Sequence, residues 1–237
     1  MNIQNGILNI GIFKSCSPDF VDQLNTQSHV RDVPKGNLLF SNEDTADSFY
    51  IVLSGWVKLY RETLDGSQAI IDIVTQWHMF GETAIFQHNT YTYSAETAEP
   101  SRILVLPLPL LKHEIESNPT MAFALMSSMA RSRRQQDQEI ENRTLKNAPQ
   151  RIGCFLLRLV PPNAKGEVVI HLPYDKTLVA SRLGMQPETF SRALSKLKDA
   201  VPMQLKGATI IVHHLESLID YSCSACSSGF PCQDLKP

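Results

Sequence analysis

Two stretches of this sequence carry side chains whose types and spacing can do chemistry. In CSACSSGFPC, Cys223, Cys226 and Cys232 stand with two and then five residues between successive thiols, and Gly229 and Pro231 shape the loop. Three thiolates at such intervals can converge on one soft metal centre, either an iron–sulfur cluster or structural Zn completed by a fourth ligand. A tail of reactive thiols is the metal-free alternative. The second stretch is TLVASRLGMQPETFSRALSKLK, Thr177 to Lys198. Leu178, Val179 and Leu183 precede a turn at Gly184-Met185, and Phe190, Leu194 and Leu197 follow at helical spacing, which predicts a helix-turn-helix. Pro187 suits the first turn of the second helix and Glu188 complements its dipole. Ser191, Arg192, Ser195 and Lys196 share the face opposite the apolar stripe, where Arg can bond guanine bidentately, a carboxylate can accept from cytosine N4, and Ser can serve base or phosphate. A helical hairpin with a merely solvated polar face is the bland alternative.

Composition sets the outer bounds for both. The 237 residues are 43% hydrophobic and 19% charged, enough for two separately cored soluble domains. The net charge of -2 is polarised: the first 150 residues hold 12 Lys+Arg against 17 Asp+Glu, and the remainder 10 against 7. The basic part is therefore the part expected to touch phosphate. No charged segment followed by a long apolar run stands at the N-terminus and nothing approaches a membrane span, so a cytoplasmic chain with no membrane partner is expected. Five cysteines, an odd number, argue against a disulfide framework. No nucleophile-and-base constellation, dinucleotide glycine fingerprint or metal-hydrolase motif occurs, which argues against an enzyme.

The elements that must position these residues are legible as a β-rich half, a long helix and a second mixed domain. Pro18 to Leu24 reads as a short helix. Leu38 to Phe40, Phe49 to Leu53, Val57 to Tyr60, Ala69 to Val74, Tyr91 to Thr97 and Arg102 to Leu106 read as strands of a barrel or jelly roll, with Gly36, Gly55, Gly66 and Gly81 at the breaks and Asp65-Gly66 a hairpin turn. Pro119 to about Ala148 is one helix with an apolar seam of Ala122, Leu125, Met126 and Met129; its second half, RSRRQQDQEIENR, is polar apart from Ile140. A seam on so long a helix suits pairing, and a solvated interdomain helix is the alternative. Then follow a helix over Gln150 to Val160, a strand over Val168 to Leu172, the helix-turn-helix, a hairpin wing of Met203 to Leu205 and Thr209 to Val212, and a last helix over His214 to Tyr221. The fold class is α+β: sensor β-roll over 1–118, long helix over 119–148, winged helix over 149–222 and Cys-rich tail over 223–237.

The run PETFSRALSKL resembles the recognition helix of the CRP/FNR family of bacterial transcription regulators, and its Glu-x-x-Ser-Arg form resembles the FNR branch. The resemblance implies that Glu188, Ser191 and Arg192 read bases in TTGAT-like half-sites of a palindrome, with Thr189 on the same face and Arg182, Lys196 and Lys198 contacting or attracting phosphate. It also implies a homodimer paired through the long helix, and RNA polymerase as partner if the protein activates. SFYIVLSGWVKLYRETLDG followed by FGETAIF is similar to the family's cyclic-nucleotide-binding fold, with Gly81, Glu82 and Ser94 in the nucleotide pocket. Tyr93 stands where an Arg would neutralise the cyclic phosphate, which disfavours cyclic AMP. LKNAPQRIGCFLLRLV is similar to the nitric-oxide-responsive Dnr-type regulators, implying haem as one sensor, with His78, His88 and His113 as candidate axial ligands. The cysteine tail is similar to that of Bacillus-type FNR proteins, implying a 4Fe–4S cluster sensing oxygen, nitric oxide or redox state. Those proteins add an Asp near the end of the dimer helix, where Asn142 stands here, so Glu141, Asp137, Cys154 and Cys16 are the candidates for fourth ligand. An iron–sulfur electron carrier is the reading from a different class.

Overall fold

The computed structural model describes residues 10–161, 163–172 and 176–224. The chain divides into two units, Met1–Met129 and Ala130–Pro237.

In the first unit a 3-10 turn, Gly11–Ser15, leads to α1, Pro18–Gln27, whose N-cap Ser17 accepts from the Phe20 N–H. Eight strands follow: β1 His29–Val33, β2 Leu38–Phe40, β3 Ser48–Ser54, β4 Val57–Glu62, β5 Gln68–Val74, β6 Met79–Phe80, β7 Ser94–Thr97 and β8 Ser101–Pro107. They make two antiparallel sheets, ordered β1-β8-β3-β6 and β2-β7-β4-β5. Phe49 to Leu53 is buried without alternation, as expected of a central strand covered on both faces. Gly66, at φ +81°, turns the β4–β5 hairpin. The expected strand from Tyr91 begins only at Ser94, because side chains hold the preceding residues: the Tyr91 hydroxyl donates to Ser48 O at 2.6 Å, and the Tyr93 hydroxyl accepts from the Gly81 N–H at 2.9 Å. After β8 comes α2, Leu108–Ser117. Its Glu114 is buried and accepts from the Ser17 N–H and hydroxyl and from Asn118 Nδ2, each at 2.7 Å, which docks the start of α1 on α2.

The long helix α3 spans Pro119–Leu145. Its apolar residues do not form the single seam expected. Leu125, with Met121, is buried in the core of the first unit, whereas Phe123, Met126, Met129 and Ile140 are 69%, 57%, 41% and 63% exposed. The helix stops short of Ala148 because Asn147 and Gln150 form a reciprocal capping box that starts α4, Ala148–Arg158.

In the second unit α4 is followed by β9 Val168–His171, α5 Lys176–Arg182, α6 Pro187–Ala200, β10 Met203–Lys206, β11 Thr209–Val212 and α7 Leu215–Cys223. The sheet order is β10-β11-β9, and Gly207, at φ +63°, turns the wing. Ile152, Leu156, Val179, Phe190, Leu194, Leu197, Ile210 and Leu218 are fully or almost fully buried together. No helix among the described residues is long and apolar enough to cross a membrane.

Candidate DNA-reading helix and sensor sites

The turn between α5 and α6 is built by backbone bonds. Gly184 N–H donates to Ser181 O at 2.9 Å and Met185 N–H to Ala180 O at 2.8 Å, and Gly184 sits at φ +61°, where a side chain would be strained. Pro187 opens α6. Phe190, Ala193, Leu194 and Leu197 are buried on one side of it, while Glu188, Thr189, Ser191, Arg192, Ser195, Lys196 and Lys198 are exposed. A 14-residue helix is thereby held by its apolar stripe with a polar face presented outward. Arg192 Nε donates to Glu188 O at 3.3 Å, so the two expected base readers stand one turn apart.

Arg182 departs from expectation. Its guanidinium lies on Glu139, at 2.9 Å to Oε2 and 2.5 Å to Oε1, and its side chain is only 14% exposed. Arg158 joins the same carboxylate at 2.9 Å. Burial alone would raise the Glu139 carboxyl, but the hydrogen bonds and charges of Arg182 and Arg158 outweigh it and hold the group below the usual carboxylate range. Glu139 thus ties α3 to α4 and α5, so Arg182 fastens the helix-turn-helix instead of standing free for phosphate. The sequence carries no signal for this, since Glu139 lies in a polar run that reads as solvated.

In the first unit Gly81 is at φ +85°, and a Cβ there would come within 3.3 Å of Tyr91 and 3.4 Å of Tyr50. Its N–H, an amide the resemblance assigned to nucleotide binding, is taken by the Tyr93 hydroxyl. Glu82 Oε2 is buried with no hydrogen-bond partner among the described residues, and burial pushes the carboxyl up to about 7. The Ser94 hydroxyl accepts from the Asn42 N–H at 2.9 Å. Alongside lies a stacked aromatic cluster: Phe40 meets Tyr91 at 3.7 Å and Tyr50 at 5.4 Å between centroids, and Tyr50 meets Phe80 at 5.1 Å. A tyrosine hydroxyl on the Gly81 amide and a carboxyl with one unpartnered buried oxygen thus stand in the pocket that the resemblance assigns to a nucleotide. His78, His88 and His113, the candidate haem ligands, are all exposed, and His78 Nδ1 is engaged with Thr75 and the Gln76 carbonyl.

Of the cysteines, Cys223 ends α7 half-buried; Cys226 and Cys232 lie outside the described residues. The structure separates the candidates for fourth ligand. Cys16 contacts Met121 Sδ at 3.7 Å, and burial, then Glu114, pushes its thiol up to about 12, which disfavours the thiolate a metal needs. Cys154 is buried in α4 with Asn142 Nδ2 3.8 Å from its sulfur. Asp137 pairs with Arg133 at 3.3 Å. Glu141 is half-buried on α3. Among the described residues no group of three or more His, Cys, Asp or Glu is gathered as a metal site.

Comparison with known proteins bears on both units. The cyclic nucleotide-binding domain family matches residues 30–118 and the Crp-like helix-turn-helix domain family matches residues 150–221. A crystal structure from Ruegeria pomeroyi dss-3, described as a cyclic nucleotide binding protein, is 30% identical, with a TM-score of 0.70 and alignment over 94% of this chain and 99% of that one. The CRP-like cAMP-activated global transcriptional regulator of Mycobacterium tuberculosis is 27% identical over 211 residues, 88% of this chain and 94% of that protein. DNR from Pseudomonas aeruginosa is 29% identical with a TM-score of 0.53, over 92% of this chain and 96% of that one.

Proposed function

This chain belongs to the CRP/FNR family of DNA-binding transcription regulators, which are not enzymes, and from that premise we propose that it acts as a homodimer on a palindrome of TTGAT-like half-sites, under control of a 4Fe–4S cluster rooted at its C-terminal cysteines. The observation that carries the DNA reading is the outward face of α6. Glu188, Ser191 and Arg192 read base edges, with Thr189 beside them; Lys196 and Lys198 serve phosphate. Arg182, committed to Glu139, leaves the phosphate set. The exposed Phe123, Met126, Met129 and Ile140 of α3 support pairing with a second copy, and a palindrome requires the two α6 helices of such a dimer to lie about one DNA turn, roughly 34 Å, apart.

For the sensor, the aromatic pocket with Tyr93 and Glu82 disfavours an anionic cyclic nucleotide, and the exposure of the candidate ligands His78, His88 and His113 does not favour haem. The donor set fits a cluster better. Cys223 stands at the end of α7, and Gln150 Nε2 donates to Ser224 Oγ at 3.0 Å, which brings that end to the first turn of α4, where a helix N-terminus favours thiolate charge. Cys223, Cys226 and Cys232 would hold the cluster, with Glu141 the first fourth ligand to test. When bound, such a cluster supplies sensitivity to oxygen, nitric oxide and redox state. The chain's own part is to root the tail on α4, which carries Arg158 into the Glu139 network that fastens α5.

Anaerobic purification with iron and sulfide analysis and an absorption spectrum, on wild type and Cys226→Ser, tests the sensor. Iron and sulfide in comparable amounts, with a visible band lost in the variant, is the expected result; a Soret band or stoichiometric zinc overturns it. Salt-dependent, sequence-selective binding to the TTGAT palindrome separates a regulator from an electron carrier, which shows none.

A further inference from the structure

With Arg182 held by Glu139, the phosphate contacts of the reading helix fall on the later turns of α6, at Lys196 and Lys198, leaving the end that carries Glu188 without one. Phosphate contacts set the register in which base edges are read. The turn just before α6 offers an anchor. Arg143 of α3 and Arg151 of α4 both reach it: a Cβ on Gly184 would lie 3.9 Å from the Arg143 guanidinium carbon and 3.8 Å from Arg151 Nη2. Gly184 leaves that position unfilled, and it is exposed, as is Arg143.

Two like charges are thus gathered at one point with little to offset them. Arg151 donates to Leu183 O, an uncharged acceptor, which fixes its guanidinium at the turn. Burial, then the charge of Arg143, lowers the Arg151 guanidinium from its ordinary value. Neither arginine is in an ion pair with a described residue, and the Glu139 carboxylate is committed to Arg158 and Arg182. A third positive feature adjoins them. Gln186, the N-cap of α6, makes no side-chain cap, so it leaves the first N–H groups of a 14-residue helix uncapped. An arginine that merely solvates a helix gains nothing by facing another, whereas an anion between the two stabilises both.

We propose that Arg143 and Arg151 hold one phosphate of the DNA backbone against the turn at Gly184, anchoring the N-terminal end of the reading helix as Lys196 and Lys198 anchor its other end. The inference rests on the DNA reading above. One phosphate can present separate oxygens to two guanidinium groups that each come within 4 Å of a single point, at about 2.8 Å per hydrogen bond. Arg151 keeps further N–H groups for this beyond the one on Leu183 O.

The test is DNA binding by full-length, anaerobically prepared protein, on the TTGAT palindrome and on an unrelated duplex, across a salt titration. Arg143→Gln is expected to weaken both duplexes several-fold and alike. The slope of log K against log salt becomes shallower by about 2, one phosphate for each subunit of the dimer. Arg143→Lys keeps the charge and stays near the wild-type slope. Arg143→Gln sediments as wild type does and unfolds at no lower urea concentration, because it relieves repulsion on Arg151. A lower urea midpoint makes Arg143 a structural residue and overturns the proposal. Weakening confined to the palindrome makes it a base reader and overturns it equally. So does an unchanged slope in a variant that has lost binding of inorganic phosphate, since the anion is then free in solution. A wild type that binds neither duplex removes the DNA reading and this inference with it, whereas a wild type that binds, matched by Arg143→Gln in affinity and slope, removes the inference alone.

Discussion

Arg192 and Glu82 show how differently two residues can be legible. The exposed position of Arg192 follows from helical period alone, because four apolar residues on α6 fix which face is buried. Substituting Arg192→Ala is expected to lower discrimination at its base pair by about 1–3 kcal/mol, read as binding to operator variants, while Lys198→Ala weakens all sequences alike. The sequence also shows that Tyr93 replaces an expected cation, but not that its hydroxyl takes the Gly81 amide. Nor does it show that Glu82 is left with a buried oxygen, because these facts depend on how distant loops close. Glu82 has a pH consequence. Its carboxyl titrates near 4.5 in the unfolded chain and about 7 in the fold. Between those values the native state binds more protons, so stability falls as pH rises from about 4.5 towards 7. Glu82→Gln is expected to flatten that slope in urea titrations; an unchanged slope would assign it to other groups.

Among the elements, strongly periodic segments are read well and weakly patterned ones are missed. The helix-turn-helix, the wing and the Asp65-Gly66 hairpin stand where turn chemistry and apolar spacing place them. β1 is largely exposed, with only Val33 buried, β6 is two residues long, and α2 begins within a proline-flanked apolar run, so none carries a distinguishing period. The α3 seam misleads for another reason: two sets of apolar residues interleave, one buried with the β-roll and the other left outside. Glu139 is invisible to such patterns, because its partners lie 19 and 43 residues away. Glu139→Gln keeps the shape but removes the charge both arginines share. With side chains 14–26% exposed, part of that attraction is screened, and a loss of about 2 kcal/mol is expected in urea unfolding of the second unit. In metal-free protein Glu141→Gln, a control charge on the same helix, is expected to have little effect on that transition.

For the whole molecule, the proposed dimer rests on what α3 leaves uncovered. Phe123 and Met126 are more than half exposed among the described residues, an unfavourable arrangement for large apolar groups. The double variant Phe123→Asp, Met126→Asp is expected to sediment as a monomer, with the circular dichroism of a folded chain and loss of palindrome binding; a dimeric variant would place the pairing surface elsewhere. Geometry also assigns α4 a part beyond packing. Gly153 admits Ser222 so closely that a Cβ there would collide with its hydroxyl, which lets α7 pack tightly on α4. One end of α4 meets the tail root through Gln150, and the other carries Arg158 to the carboxylate that also holds α5. The intervening helix is about 12 Å long and does not stretch. In the proposed regulator such a helix is a rigid lever, so a tilt imposed at Ser224 would reach the carboxylate that holds α5 as displacement.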